Sequence, residues 1–357
     1  MKKRIIFSVL ASFIVLNIFA QFEISAELRP RYENKHGFKT LLETDADGSN
    51  FVSQRTRINL NYGQDKIRMR VSLQNVRVWG DVSTLSADDN ASALHEAWAE
   101  LILNPKVSFK LGRQEIAYDD QRIFGNVGWA QQARSHDALL FKYSPDNNHK
   151  LDIGFALNSD SQSNIDNLYS NAAGYKSFQY AWYHGSFNKL GLSVLILNTG
   201  VEYIDDDVEQ TLDYMQTIGP RLTYKSGKFN ADASAYFQIG KSMNVNVNTS
   251  YFGGNLRYKV SNNVSLGLGY EMLSGKDQND LDSDIKSFAP LFGTNHKFNG
   301  WMDYFYVGNH GGSVGLNDFS ATLAYSKNKF SAKIIPHFFS SAANIYDGSE
   351  KMSNSLG

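Results

Sequence analysis

Apolar and polar residues take turns along most of this chain. In "FEISAELRPRYE", Phe22, Ile24, Ala26, Leu28, Pro30 and Tyr32 fall on one phase, and Glu23, Ser25, Glu27, Arg29, Arg31 and Glu33 on the other. A period of two belongs to an extended strand with one apolar and one polar face. "QRTRINLNY" repeats it, setting Arg55, Arg57, Asn59 and Asn61 against Gln54, Thr56, Ile58, Leu60 and Tyr62. "IRMRVSLQ" sets Arg68, Arg70, Ser72 and Gln74 against Ile67, Met69, Val71 and Leu73. After Asn75 the phase slips by one, which predicts a bulge that keeps Arg77 on the polar face. "FNADASAYFQIG", "VSLGLGYEM" and "FSAKIIPHF" alternate in the same way. Residues 175–185 and 190–199 alternate less cleanly, and the pattern assigns them no face.

The connections sort into two sets. Residues 63–65, 104–106, 145–149, 188–189, 226–227, 261–263 and 326–328 form short polar turns. Residues 34–50, 80–93, 116–133, 159–174, 200–212, 241–248 and 274–315 form long loops, and the two sets alternate. This predicts 15 strands, mostly 9 to 14 residues long, joined as hairpins with tight turns at one end and long loops at the other. "KFNGWMDYFYV" has a strand's composition, but a strand there would break the alternation, so it belongs inside the seventh long loop. Sandwich strands are shorter, and their loops do not sort by end. Membrane barrels have long strands, short periplasmic turns, longer outer loops and aromatic girdles. Tyr32, Tyr62, Tyr143, Tyr224, Tyr258, Tyr270 and Tyr325 sit near strand ends on the apolar phase. The predicted fold is all-β: a transmembrane, antiparallel, up-and-down β-barrel. Pro30, Pro220 and Pro336 interrupt strand patterns and call for bulges or strand ends. An odd strand count, against the even count of bacterial barrels, leads to the expectation that the chain stops before the barrel closes.

Composition narrows the class. The formal net charge is -1 with a pI near 6.7, which argues against a nucleic-acid binder relying on global basic charge. There is no cysteine, so disulfides and thiolate metal sites are excluded. The mean hydropathy of -0.37 is too polar for a helical membrane protein. "MKKR", the apolar run 5–19 and the small residue Ala20 predict a cleaved signal peptide over residues 1–20. The barrel domain then occupies residues 21–357.

In a barrel the apolar phase meets lipid and the polar phase lines a lumen. The predicted inward cations of the first six strands are Arg29, Arg31, Arg55, Arg57, Arg68, Arg70, Arg77, Lys110 and Arg134. The predicted inward carboxylates are Glu23, Glu27, Glu33, Glu96 and Glu100. Arg113 falls on the lipid phase unless a second bulge intervenes. Arginine suits carboxylate or phosphate ligands because its planar fork donates two parallel bonds. The competing reading is that these arginines pair with glutamates across strands and only hydrate the lumen. The third long loop carries Tyr118, Asp119, Asp120, Arg122 and Trp129 and is placed to fold inward as a constriction. Its two adjacent carboxylates match turn capping or arginine binding better than general acid–base work. "HEAWA" lacks the second histidine of a zinc helix. No catalytic, metal or cofactor site is expected.

"LRPRYE", "SQRTRINL", "QNVRVWG", "HEAWAEL", "KLGRQEIAYDDQRIFGNVGWAQQARSHDALL" and "GTNHKFNGWMDYFYVGNH" together resemble the alginate-export family of outer-membrane channels. The resemblance runs from about residue 22 to the end and is most specific over residues 110–140. It implies an 18-stranded barrel when complete, with three strands beyond Gly357, whose arginine-rich pore passes an anionic uronate polysaccharide. Its basic conduit maps onto Arg29, Arg31, Arg55, Arg57, Arg68, Arg70, Arg77, Arg113 and Arg134. Its acidic gating residues fall among Asp119, Asp120, Glu96 and Glu100 without a one-to-one match. The expected partners are an anionic saccharide or other anionic solute, outer-membrane lipid and lipopolysaccharide, and periplasmic export proteins. The alternatives kept open are a general or small-organic-anion porin, a barrel hydrolase and a non-conducting structural barrel.

Overall fold

The computed structural model describes residues 22–88, 92–305 and 313–355. The expected signal peptide at 1–20, and residues 306–312 of the seventh loop, lie outside the described residues. The chain divides into two compact units, residues 1–117 with 125–142, and residues 118–124 with 143–357. The first carries β1 (Phe22–Lys35), β2 (Ser49–Gln64), β3 (Ile67–Val78), β4 (Ser92–Asn104), β5 (Val107–Gln114) and β6 (His136–Tyr143, which ends at the boundary). The second carries β7 (His149–Leu157), β8 (Ser177–Phe187), β9 (Leu190–Ile204), β10 (Gln210–Ser226), β11 (Phe229–Ser242), β12 (Val245–Lys259), β13 (Val264–Leu273) and β14 (Leu316–Lys327). It ends with β15 (Phe330–Ile334), β16 (His337–Ser340), and the two-residue strands β17 (Tyr346–Asp347) and β18 (Glu350–Lys351). In each unit the sheet order follows the chain as far as β15 and neighbouring strands run antiparallel; β16 pairs with β14, and β17 and β18 form a separate two-stranded sheet. No helix among the described residues is long and apolar enough to cross a membrane.

Burial is the reverse of a water-soluble sheet. Leu28 is 68% exposed and Leu73 50%, while Arg55 is 5% exposed and Gln74 8%. One face of each sheet is bare and apolar; the other is covered by loops. Tyr32, Tyr143, Tyr224, Tyr258, Tyr270 and Tyr325 are exposed on the bare face, as a girdle requires. Near the short turns Phe22–Tyr62, Phe109–Phe141, Tyr224–Phe229 and Tyr325–Phe330 form ring pairs with centroids 4.9, 5.3, 6.2 and 6.1 Å apart. Amphipathic rings sit well at the level of lipid headgroups.

Several expectations need correction. The bulge lies in β4, not after Asn75: Ser72 pairs with Glu96 and Leu73 with Leu94, leaving His95 as the extra residue. The β2–β3 register runs unbroken. The fifth and sixth connections are not long. β9 and β10 are separated only by residues 205–209, and β11 and β12 only by Met243–Asn244, both at positive φ (52° and 62°) as a tight hairpin turn requires. β9 to β12 extend instead. The fifteenth strand is broken into β15 and β16, which pair with β14 in one continuing register around Pro336. Proline has no N–H to give the ladder. At Gly219–Pro220 the β10–β11 pairing likewise skips, and a Cβ on Gly219 would lie 1.8 Å from the Ala235 carbonyl oxygen. The strands with no assignable face, β8 and β9, carry Phe178, Tyr180, Trp182, Leu195 and Leu197 buried on the covered side. Strands apolar on both faces lose their alternation.

Putting a cation on the bare face tests the orientation. Leu73→Arg is expected to lower unfolding free energy in phospholipid vesicles by about 2–4 kcal/mol near the midplane. Leu73→Ile is expected to stay within about 1.5 kcal/mol of the parent.

Candidate functional site

The site is built from the covered face of β1 and β2. Glu27, Arg29, Arg31 and Glu33 alternate along β1, and the register sets Arg29 directly opposite Arg55 and Glu27 opposite Arg57. Like charges directly opposite are destabilising. Glu27 offsets part of this repulsion by accepting from Arg55 Nη2 at 2.7 Å. Residues 128–131 of the third long loop provide further acceptors. Arg29 donates to the carbonyls of Gly128 (2.8 Å), Trp129 (3.4 Å) and Ala130 (2.8 Å), and through Nε to Gln131 Oε1 (3.0 Å). Arg31 donates to the Trp129 carbonyl at 2.9 Å and to Glu33. Arg55 reaches the Ala130 and Gln131 carbonyls at 3.4 Å each. Gln131 in turn donates to Ser53, and Gln74 to the Gln132 carbonyl. The loop lies on the covered polar face, where Arg29, Arg31 and Arg55 bond to it.

Toward the short turns the cations are less enclosed. Arg70 Nε lies 2.7 Å from Glu96 Oε2, and Lys142 Nζ lies 3.3 Å from Glu100 Oε1. Arg68 is 3.9 Å from Glu100 with its side chain 63% exposed. Lys110 Nζ stands 4.0 Å from the centroid of the Trp98 ring, a cation–π contact. Arg57, nearly buried, donates to Gln74 at 2.8 Å.

Three predicted conduit residues lie elsewhere. Arg77 pairs opposite Gln54, so it shares the bare face with Thr56 and Asn75 and donates to Asn75 Oδ1 at 2.7 Å. The inward expectation fails because the bulge lies in β4 and leaves the phase of β3 unbroken. Arg113 lies opposite Ala97, also on the bare face, and pairs with Asp137 at 2.7 Å. Arg134 precedes β6 and belongs to the loop, where its N–H donates to the Asn126 carbonyl. Two other residues of the covered face are not among the inward groups predicted from the sequence. Lys142 shares the phase of His136, Ala138 and Leu140, and extending that phase would have found it. His95 reaches the covered side only through the bulge, and no alternation reveals it.

His95, Glu96 and Glu115 bring three potential ligand atoms within 4.8 Å of one another. Their donors and acceptors are already engaged. His95 Nε2–H donates to Glu115 at 2.8 Å, Asn126 donates to Glu115 at 2.8 Å, and Trp98 donates to Glu96 at 3.0 Å. Burial alone would raise the Glu115 pKa; the His95 and Asn126 hydrogen bonds, with His95 and Arg57 nearby, outweigh it and hold the carboxyl below its usual range. The cluster is a brace for the start of the loop.

Residues 118–124 pack onto the covered face of the second unit. Tyr118 stacks on Trp182 (centroids 4.4 Å apart) and donates to Asp152 at 2.8 Å. Asp119 accepts from Trp182 Nε1 and Ser193, and Asp120 from Arg221. Arg122 is fully buried between Tyr251 and Phe298 and pairs with Glu271 at 2.7 Å. Asn299, from the seventh loop, donates to the same carboxylate at 2.6 Å. The predicted constriction residues Tyr118, Asp119, Asp120 and Arg122 are thus bound to strand walls, and Trp129 contributes its carbonyl to the arginine row.

The family model described as "Alginate export" matches residues 20–311. Among proteins with curated functions, none matches the chain by sequence. Solved structures share the fold. OccK9 (OpdG) of Pseudomonas aeruginosa superposes with a TM-score of 0.59 at 14% identity, over 89% of this chain and 83% of that one. OccAB4 of Acinetobacter baumannii gives 0.58 at 12% identity, over 93% and 84%. OccK8 (OprE) of Pseudomonas aeruginosa gives 0.55 at 14%, over 89% and 84%.

Removing the Arg122 side chain leaves a buried carboxylate without its cation. Arg122→Ala is expected to cost about 3–5 kcal/mol in denaturant unfolding, and Arg122→Met combined with Glu271→Leu to recover most of it.

Proposed function

This chain belongs to the alginate export family, and on that footing we propose that it is an outer-membrane channel passing an alginate-like uronate polysaccharide or oligosaccharide through an arginine-lined pore. The observation that carries the reading is the group of cations on the covered polar face of the first unit. Arg68, Arg70, Lys110 and Lys142 surround Glu96 and Glu100 near the short turns, and Arg29, Arg31 and Arg55 continue the row toward the long loops. Guanidinium groups match carboxylates in shape as well as charge. Fixed cations along a polar conduit select permeant ions by sign.

The short turns of such a barrel face the periplasm, so Arg68, Arg70, Lys110 and Lys142 form the side on which a polymer first docks. Export proteins in the periplasm would deliver it there. Residues 1–20 would direct secretion, and residues 21–357 would form the barrel domain, with its bare face against outer-membrane lipid and lipopolysaccharide. The family is one of alginate export, and Asp119 and Asp120 are both tied to wall residues rather than paired for acid–base chemistry.

Planar-bilayer recording in a salt gradient tests the reading. The expected result is anion selectivity with current block by oligouronates. Arg68→Glu, Arg70→Glu and Lys110→Glu together should reverse the selectivity and weaken block at least about tenfold, or about 1.4 kcal/mol. A weakly selective current, indifferent to the sugar and to the substitutions, would instead identify a general or small-organic-anion porin.

A further inference from the structure

Resting on the uronate-channel reading, we propose that residues 128–131 are an internal competitor of the transported polyanion for Arg29, Arg31 and Arg55. The segment offers a string of acceptors: the consecutive carbonyls of Gly128, Trp129, Ala130 and Gln131, with the Gln131 side-chain oxygen beside them. A polyuronate presents the same kind of string, with a carboxylate on every sugar. The arginines lie in one compact set, Arg29 and Arg31 on alternate positions of β1 and Arg55 across the register from Arg29. Both acceptor strings address the same guanidinium N–H groups, so they exclude each other.

The contest is balanced by opposing terms. Carbonyls are neutral, and bonds from guanidinium to carboxylate are shorter and stronger than bonds to neutral acceptors. The loop has the compensating advantage of being tethered, at high effective concentration. The seated loop also carries backbone strain. Val127 at φ 51° and Ala133 at φ 56° flank the segment in the left-handed region. A β-branched residue rarely adopts that conformation, and such strain persists only where surrounding contacts hold it. The arginine bonds are among those contacts, together with the bonds of Gln131 to Ser53 and of Gln74 to the Gln132 carbonyl. With no polymer the segment covers the arginine row; with polymer the carboxylates take the guanidiniums and the strained segment lifts.

The chain has no cysteine, so Gln132→Cys gives a single labelling site at an exposed side chain next to the segment. A spin label there, on the folded protein in vesicles, should show an immobilised component that is lost on adding an oligouronate. A neutral oligosaccharide of equal length should leave it unchanged. Arg29→Lys with Arg31→Lys keeps the charge but loses the fork, and should free the label without any sugar. If that pair fails to fold, Gln131→Ala should weaken immobilisation in the same direction. Current block by oligouronate with the label unmoved would overturn this proposal alone. Absence of both block and label response would overturn the uronate-channel reading and this proposal with it.

Discussion

A guanidinium turned toward hydrocarbon near the bilayer midplane costs roughly 2–4 kcal/mol, and that penalty governs the arrangement of these strands. A slip of one residue in β1 would move Arg29 and Arg31 to the bare face together and bring Leu28 to the polar one. The alternation therefore fixes register, orientation and the location of water in a single step. The exposed apolar rows and buried arginines are the same fact seen from two sides.

Arg77 and Arg113, at the ends of β3 and β5, are exceptions on the bare face; the arginines gathered on the covered face need acceptors, and the third long loop provides many of them. Its later segment satisfies Arg29, Arg31 and Arg55 with backbone carbonyls, while its earlier segment places Tyr118, Asp119, Asp120 and Arg122 against strand walls. The two segments work by different chemistry. The first is held by hydrogen bonds to neutral oxygens from the partly exposed Arg29 and Arg31 and from the buried Arg55, the bonds for which the proposed polyanion competes. The second is set in aromatic packing and a fully buried ion pair, which no solute reaches. A loop anchored firmly at one part and reversibly at another is suited to change conformation without leaving its wall.

Much of this was legible from the pattern alone. The strand phases of β1 and β2, the tyrosine girdle and the placement of residues 298–305 in a loop follow from period-two alternation and turn spacing. The misplacements have physical causes. A bulge is invisible when its extra residue is itself polar, as His95 is, so the slip was put on β3 and Arg77 was turned inward. β9 to β12 extend into stretches that read as loops because the polar run 205–210 and the glycines Gly200 and Gly240 suggest longer connections than the turns at 205–209 and Met243–Asn244. β8 lost its pattern because Phe178, Tyr180 and Trp182 pack against Tyr118 and Phe124, and β9 because Leu195 and Leu197 are buried on the covered side. The role of Gly128, Trp129 and Ala130 was beyond reach, since backbone carbonyls leave no trace in a sequence.

The central claim is that one face of β2 meets water and the other meets hydrocarbon. Single cysteines at Ile58, Asn59, Leu60 and Asn61, spin-labelled in vesicles, can be probed for collision with oxygen and with a water-soluble nickel chelate. Labels at Ile58 and Leu60 should collide with oxygen, and labels at Asn59 and Asn61 with the chelate, in strict alternation. Equal accessibility at all four positions, or the opposite phase, would contradict it.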